Sequence, residues 1–386
     1  MISMGFVVML LEQNPKSKLY ATIIIMIGIV SVVTGIKRII KSFVAVFLPE
    51  HEDQLVDKLY QKRVLEKGPR IVVIGGGTGL STMLHGLKEY TSNITAIVTV
   101  ADDGGSSGRL RKDFDMLPPG DIRNCLVALA DAEPLMGKLF QFRFEEGGDL
   151  KGHSFGNLFI AAMTRVAGNF DTAIKESSKV LAIRGRVVPA TLDKAALVAE
   201  HIDGTETVGE SNIPNAASPI RRITLRPAEC TATNEAIDAI RKADAVVLGP
   251  GSLYTSIMPN LLVGTMAKEL LASKAVKVYV CNVMTQKGET GGYKASDHVR
   301  AIINHTASGI INYCIVNTAR IHKDMLKKYE GEDSYPVAAD IENLKKLKIK
   351  VIEAHIVSTK DYVRHDSVTL AKIIVDLVLS LKKVKN

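Results

Sequence analysis

Arg70-Ile71-Val72-Val73-Ile74-Gly75-Gly76-Gly77-Thr78-Gly79-Leu80-Ser81 and, downstream, Ile94-Thr95-Ala96-Ile97-Val98-Thr99-Val100-Ala101-Asp102-Asp103 are the stretches that decide the fold. Four β-branched residues run straight into a glycine turn. A helical pattern follows to about Tyr90, and a second apolar run ends in two acids. Strand, glycine turn, helix and strand in this order make a βαβ unit. Unbroken Val/Ile runs, rather than alternating ones, suit parallel strands covered on both faces.

The same texture continues outward. Residues 245–248, 276–281, 311–316 and 351–356 are further apolar runs, with helical patterns between most of them. Residues 155–166 are apolar enough for a buried helix. Between 185 and 227 the pattern changes: 186–191, 196–202 and 220–225 read as strands, with Gly204 and Gly209 in the turns. We expect an antiparallel insertion there. The fold class is therefore α/β, a doubly wound, mostly parallel sheet with a small antiparallel insertion, preceded by an N-terminal hydrophobic helix. No internal repeat is visible. The expected organisation is an anchor over residues 1–50, a charged helical linker over 51–69 and a ligand-binding domain over 70–386.

Composition narrows the function. The chain has 386 residues, 46% hydrophobic, which excludes a disordered protein. Its 49 basic and 41 acidic residues give a net charge of +8, and residues 1–70 hold ten of the basic and six of the acidic ones. The remaining excess is too thin for a nucleic-acid stripe, and the absence of Trp disfavours a base-stacking groove. No nucleic-acid partner is expected. Cys125, Cys230, Cys281 and Cys314 show no C-x-x-C spacing, so each reads as a small buried residue in a reducing compartment.

Residues 19–36, LYATIIIMIGIVSVVTGI, contain no charge. As a helix they span about 27 Å, enough for a bilayer core. No polar face recurs along them. Lys37 and Arg38 follow, where a cleaved signal would show small residues. With Lys41 these cations place the main domain in the cytoplasm, tethered to the inner face of the cell membrane. Residues 2–11 and 43–48 are apolar but too short to cross, and suit the interface.

In an open α/β sheet, ligands bind beyond the carboxyl ends of the strands. Gly76, Gly77, Thr78 and Gly79 follow the first strand and offer amides and a helix N-terminus to a phosphate. The spacing matches neither G-x-G-x-x-G nor a Walker loop. Asp102 and Asp103 follow the second strand, where an acid commonly meets a ribose hydroxyl. They are also the candidates for Mg²⁺ held through water. Gly105, Ser106 and Ser107 continue as a loop able to hold phosphate. Asp121 is either a helix cap or a ligand group, and Arg123, beside Asn124, is a bidentate phosphate donor. His153, Ser154 and Asn157 open the apolar helix, with Ser154 a natural cap. Gly249, Gly251 and Ser252 form a second glycine turn, and Asn282 follows a later strand. Asp297 and His298 read as a cap and a helix-surface residue or as part of the site. No residue pattern marks a catalytic nucleophile. The ligand class this supports is a nucleotide or nucleotide-sugar.

Six stretches together resemble the CofD/YvcK family: IGGGTGLS at 74–81, DDGGSSGRLR at 102–111, PPGDIRN at 118–124, GHSFGNL at 152–158, GPGSLYTSI at 249–257 and NVMTQKGET at 282–290. The last two favour the YvcK branch, the gluconeogenesis factors. The resemblance covers about residues 70–385 and implies a Rossmann-like fold, binding of UDP-sugars such as UDP-N-acetylglucosamine, and a role in cell shape and envelope synthesis during growth on gluconeogenic carbon. The expected partners are a nucleotide-sugar, proteins of envelope synthesis and further copies of the chain. The CofD branch instead implies a Mg²⁺-dependent phospholactyl transferase with a guanylylated donor. A third reading, an NAD(P)-dependent oxidoreductase, rests only on the strand–glycine–helix–strand–Asp pattern.

Overall fold

The computed structural model describes residues 14–47, 63–131, 134–358 and 363–385. The chain divides into two compact units at Val64/Leu65.

In the first unit one helix covers Pro15–Phe47. Within it the span Pro15–Arg38, whose most apolar 18-residue window has a mean hydropathy of 2.4, is long and apolar enough to cross a membrane, by length and composition. Residues 43–47, expected as a separate interfacial stretch, continue the same helix. The 2–11 stretch and most of the 51–69 linker lie outside the described residues; 63–66 are helical.

The second unit is built on seven parallel strands: β1 (Ile71–Gly75), β2 (Ile94–Val98), β3 (Arg186–Pro189), β7 (Ala245–Leu248), β8 (Val276–Val280), β9 (Tyr313–Asn317) and β10 (Lys350–Ala354). Their order across the sheet is β10-β9-β8-β7-β1-β2-β3. β1 pairs on one side with β2 and on the other with β7, Ile71 opposite both Ile94 and Ala245. Connections run outward from β1 in both directions, so the order reverses between β1 and β7. That is the doubly wound arrangement with its switch point.

The apolar runs are unbroken because both faces of each central strand are covered. Val72 and Ile74 join one core with Val246, Leu248 and Tyr279. Ile71 and Val73 join the other with Val247, Val278, Leu80 and Leu84. Period-two alternation therefore divides one strand between two cores. None of these four β1 side chains is more than 3% exposed, and each contributes about 1.5–3 kcal/mol by leaving water.

The antiparallel insertion is present but shorter than expected. It comprises β4 (Ala196–His201), β5 (Glu206–Val208) and β6 (Ile220–Arg226), in the order β5-β4-β6. Residues 186–189, assigned to it from sequence, instead form the parallel edge strand β3 beside β2. Val187 and Val188 bury in the two main cores. Pro189, which cannot donate to a ladder, falls where one side of the strand is open. The expected buried helix, Phe155–Ala167, buries only one face: Gly156, Asn157, Ile160 and Ala161 are enclosed while Val166 is 82% exposed. The four cysteines are free and buried, as expected.

Two helices fix the first glycine turn. Helix Gly77–Leu87 lies over the sheet, and the C-terminal helix Ser367–Lys385 packs across it at Gly86. A Cβ on Gly86 would stand 2.0 Å from the Ser367 carbonyl oxygen. Gly86→Ala is expected to push the helices apart at a cost of about 1–3 kcal/mol. The urea midpoint measures this, and an unchanged midpoint would contradict the packing.

Candidate functional site

β1 ends at Gly75, and helix Gly77–Leu87 begins after an extended Gly76. The first four amides of a helix have no acceptor within it. No side chain caps this end. The Asp121 carboxylate stands beside this turn and feels the Gly77 amide. Across the sheet, β7 runs into Gly249-Pro250-Gly251-Ser252, then a π-turn at Leu253–Ile257 and the short helix Met258–Leu261. The turns meet: a Cβ on Gly79 would fall 2.7 Å from the Pro250 carbonyl oxygen and 3.0 Å from the Gly251 nitrogen. Asn260 ties them from beneath, donating from Nδ2 to the Gly75 carbonyl at 3.1 Å and the Ser256 carbonyl at 2.7 Å.

A cavity of about 700 Å³ opens at this point. Of the residues singled out in the sequence, Gly76, Gly77, Thr78, Gly79, Asp102, Asp121, Gly251, Ser252 and Asn282 line it. Asp121 is the second residue of helix Gly120–Leu129, and Pro119 holds the cap position. Asp102 accepts the Gly104 amide at 2.9 Å.

The others are placed elsewhere. Asp103 accepts the Ser211 amide at 2.9 Å and so holds the turn that follows β5. Gly105 opens helix Gly105–Phe114, Ser107 abuts Gly120, and Gly249 ends β7 by donating to the Ile74 carbonyl. Ser106, His153, Ser154 and Asn157 form a buried network. The Ser106 hydroxyl lies 2.9 Å from His153 Nδ1 and accepts from Asn157 Nδ2 at 3.1 Å. Ser154 caps its helix, accepting the Asn157 amide at 3.2 Å. Arg123, expected on a phosphate, donates instead to Ser154 Oγ at 2.5 Å and to Asn124 Oδ1 at 2.7 Å. Neighbouring side chains supply partners to the two terminal nitrogens of this part-buried guanidinium, while its buried Nε has none among the described residues. His298, expected on a helix surface or in the site, is fully buried, with Nδ1 3.0 Å from the Tyr279 hydroxyl. Asp297 accepts the Lys294 amide at 2.9 Å, as a capping residue does.

Three acids of the cavity, Glu210, Glu289 and Glu332, escaped sequence reasoning. Glu210 follows β5 in a turn with no motif to mark it. Glu289 sits within the TQKGET stretch, but nothing in the spacing shows that the chain buries it. Burial first, then the charges of Asp102, Asp121, Glu289 and Asp103, push the Glu210 carboxyl up to about 8. Burial and the Asp102 charge raise Asp121 to about 6, against the Gly77 amide and the Arg123 guanidinium. Burial raises Glu289 to about 7, against the Thr255 hydroxyl and the amides of Tyr254 and Thr255. His365, in the same wall, is driven down to about 4 by burial, so it is neutral and donates from Nε2 to the Cys281 carbonyl at 3.1 Å. Lys287 is paired with Asp333 at 2.7 Å.

Among the described residues no group of three or more His, Cys, Asp or Glu is close enough to hold a metal ion. Asp102 and Asp103 separate, one into the cavity wall and one onto the turn after β5. The donor set does not form a protein cage for Mg²⁺. The arrangement offers backbone donors at the two glycine turns and acidic acceptors around them, which is binding chemistry for a group that carries both phosphate oxygens and hydroxyls.

The model of the family described as "2-phospho-L-lactate transferase CofD" matches residues 71–357. The gluconeogenesis factor of Bacillus subtilis is 52% identical over 311 residues, covering 80% of this chain and 98% of its own length. A relative from Clostridium acetobutylicum is 49% identical over 362 residues, 92% of this chain and 80% of its own. The crystal structure of a Bacillus halodurans protein, 50% identical, superimposes with a TM-score of 0.78 and covers 81% of this chain and all of that one. With the fold, the motifs and these matches in agreement, the chain belongs to the CofD family and is a YvcK-like member, similar over most of its length to the gluconeogenesis factors.

Proposed function

We propose that the chain binds a nucleotide-sugar, a UDP-sugar such as UDP-N-acetylglucosamine, in the switch-point cavity. It acts there as a regulatory binding protein for cell shape and envelope synthesis on gluconeogenic carbon. The observation that carries this reading is the meeting of the Thr78–Gly79 and Pro250–Gly251 turns at the reversal of strand order. Two backbone turns and a helix N-terminus around one point suit a diphosphate. The cavity, about 700 Å³, falls within the range of small-molecule sites. Proteins of envelope synthesis would respond to the bound state, and further copies of the chain would complete the assembly. Asp102 and its water shell would supply any Mg²⁺ contact.

A transferase reading rests on the description of the matched family. It predicts Mg²⁺-dependent turnover of a guanylylated donor on a deazaflavin acceptor. Calorimetric titration with UDP-N-acetylglucosamine, GDP and NAD separates the readings. Saturable binding of the UDP-sugar alone supports regulation, and preference for GDP with Mg²⁺ supports transfer. Preference for NAD would favour the oxidoreductase reading.

The N-terminal helix tethers this domain to the inner face of the cell membrane. Its charge-free run over residues 19–36 and the Lys37, Arg38 and Lys41 that follow favour this orientation. Three results are expected. Thr78, exposed in the cavity, gives up one hydroxyl donor in Thr78→Val. This should weaken UDP-sugar binding about 10- to 150-fold, a loss of about 1.5–3 kcal/mol being usual for a bond to a charged group. Equal affinity would count against the cradle. The second result is a pH dependence. An anionic ligand favours the protonated acids of its site. Without Mg²⁺, affinity should therefore fall as pH rises from 6 to 9 through the values of Asp121 and Glu210, about 6 and 8. Glu210→Gln should flatten the upper part of that profile; a parent profile already flat would refute it. Finally, the full chain should sediment with membranes and need detergent for release, whereas a chain lacking residues 1–50 should stay in the supernatant. A soluble full chain would end the anchor reading.

A further inference from the structure

The glycine turns present donors to the cavity. The wall beyond β8 presents acceptors that the protein leaves unused. Glu289 is only 6% exposed, yet it belongs to the cavity wall. Its Oε1 accepts the Thr255 hydroxyl at 3.1 Å. Its Oε2 has no partner in the protein. Asn282, in the same wall, has a buried Oδ1 that is likewise unpartnered. Native structures rarely leave buried acceptors bare, and for a carboxylate oxygen the penalty is the larger one.

The wall is held rigidly. Gln286 donates from Nε2 to Ser252 Oγ at 2.8 Å, and its amide donates to Thr290 Oγ1 at 2.9 Å. Its position is also specific. Thr255, which anchors Glu289, precedes Ser256. The Ser256 Cβ lies 3.5 Å from where a Cβ on Gly76 would stand, and its Oγ 3.6 Å from the same point on Gly77. The bare carboxylate oxygen therefore belongs to a side chain bonded to Thr255, the neighbour of the Ser256 that abuts the glycine turn. Phosphate oxygens are acceptors and offer it nothing. The donors nearest to a diphosphate in a nucleotide-sugar are the hydroxyls of the attached sugar and, in an N-acetylated sugar, its amide N–H.

On the reading that a sugar diphosphate occupies the cavity, we infer that Glu289, with Asn282 in the same wall, selects the ligand by accepting a hydroxyl or amide hydrogen of the sugar beyond the diphosphate. A carboxylate there also repels a second anionic group, so the pair distinguishes a sugar diphosphate from a nucleoside triphosphate. Glu289 is a specificity residue in this assignment, and no reaction passes through it.

The test is calorimetric titration of the full chain, its Glu289→Gln variant and its Glu289→Asp variant with UDP, UDP-glucose and UDP-N-acetylglucosamine. In the Gln variant Oε1 keeps its partner while an NH₂ group replaces the bare oxygen and opposes the ligand's donor. UDP should bind the variants within about twofold of the parent, while at least one UDP-sugar weakens by about tenfold or more, the equivalent of one hydrogen bond. Glu289→Asp keeps the charge but withdraws it by one methylene, and should show the same selective loss if the Gln variant does not fold. Melting curves coincident with the parent's are the control. Equal losses on UDP and on both UDP-sugars, or no loss on any, would overturn the assignment and leave the diphosphate reading standing. A parent that binds neither UDP nor UDP-sugars would remove both together.

Discussion

Everything in the larger unit depends on one close approach, the passage of Gly79 against Pro250 and Gly251. With 2.7 Å between the Pro250 oxygen and the place a Cβ would take, no side chain fits there. The contact exists because β1 and β7 are neighbours and the chain leaves their carboxyl ends in opposite directions. It turns two separate glycine loops into one surface of backbone donors. The order of the remaining strands, the two cores and the Asn260 bonds all serve to hold that surface in place.

Around the donor surface the protein places carboxyl groups, and they stand in tension with it. Asp102, Asp121, Glu210 and Glu289 all line the cavity. An anionic ligand is attracted by amides and repelled by these acids. Burial and the charges of neighbouring acids ease the conflict by raising the carboxyls of Asp121 to about 6 and Glu210 to about 8. The same acids that oppose phosphate are the natural partners of hydroxyls. A ligand with a diphosphate in the middle and polyhydroxylated groups at its ends satisfies both demands at once, whereas free phosphate or a triphosphate satisfies only one.

The parts of this arrangement that arise locally were legible in the sequence. Four β-branched residues before a glycine turn announce β1, and the acids after the next run announce the end of β2. The long apolar N-terminal run announces its helix. What depends on tertiary placement was not legible. Arg123 reads as a phosphate donor, but Ser154 and Asn124 take its two terminal nitrogens. Asp103 reads as a ligand group like Asp102, but it is turned to the Ser211 amide by a loop 108 residues downstream. Residues 186–189 look like the neighbouring antiparallel strands because short Val-rich runs carry no information about their partner. Glu210 carries no local signal at all: its elevated affinity for protons comes from burial and from acids distant in sequence.

The most direct test of the account is a crystal structure of the chain with UDP-N-acetylglucosamine bound. The account predicts the diphosphate on the free amides at the start of helix Gly77–Leu87, facing Gly251, with the sugar against the wall that carries Asn282 and Glu289. A ligand whose phosphates lie away from the switch point, for example at the Ser106–His153 network, would contradict it.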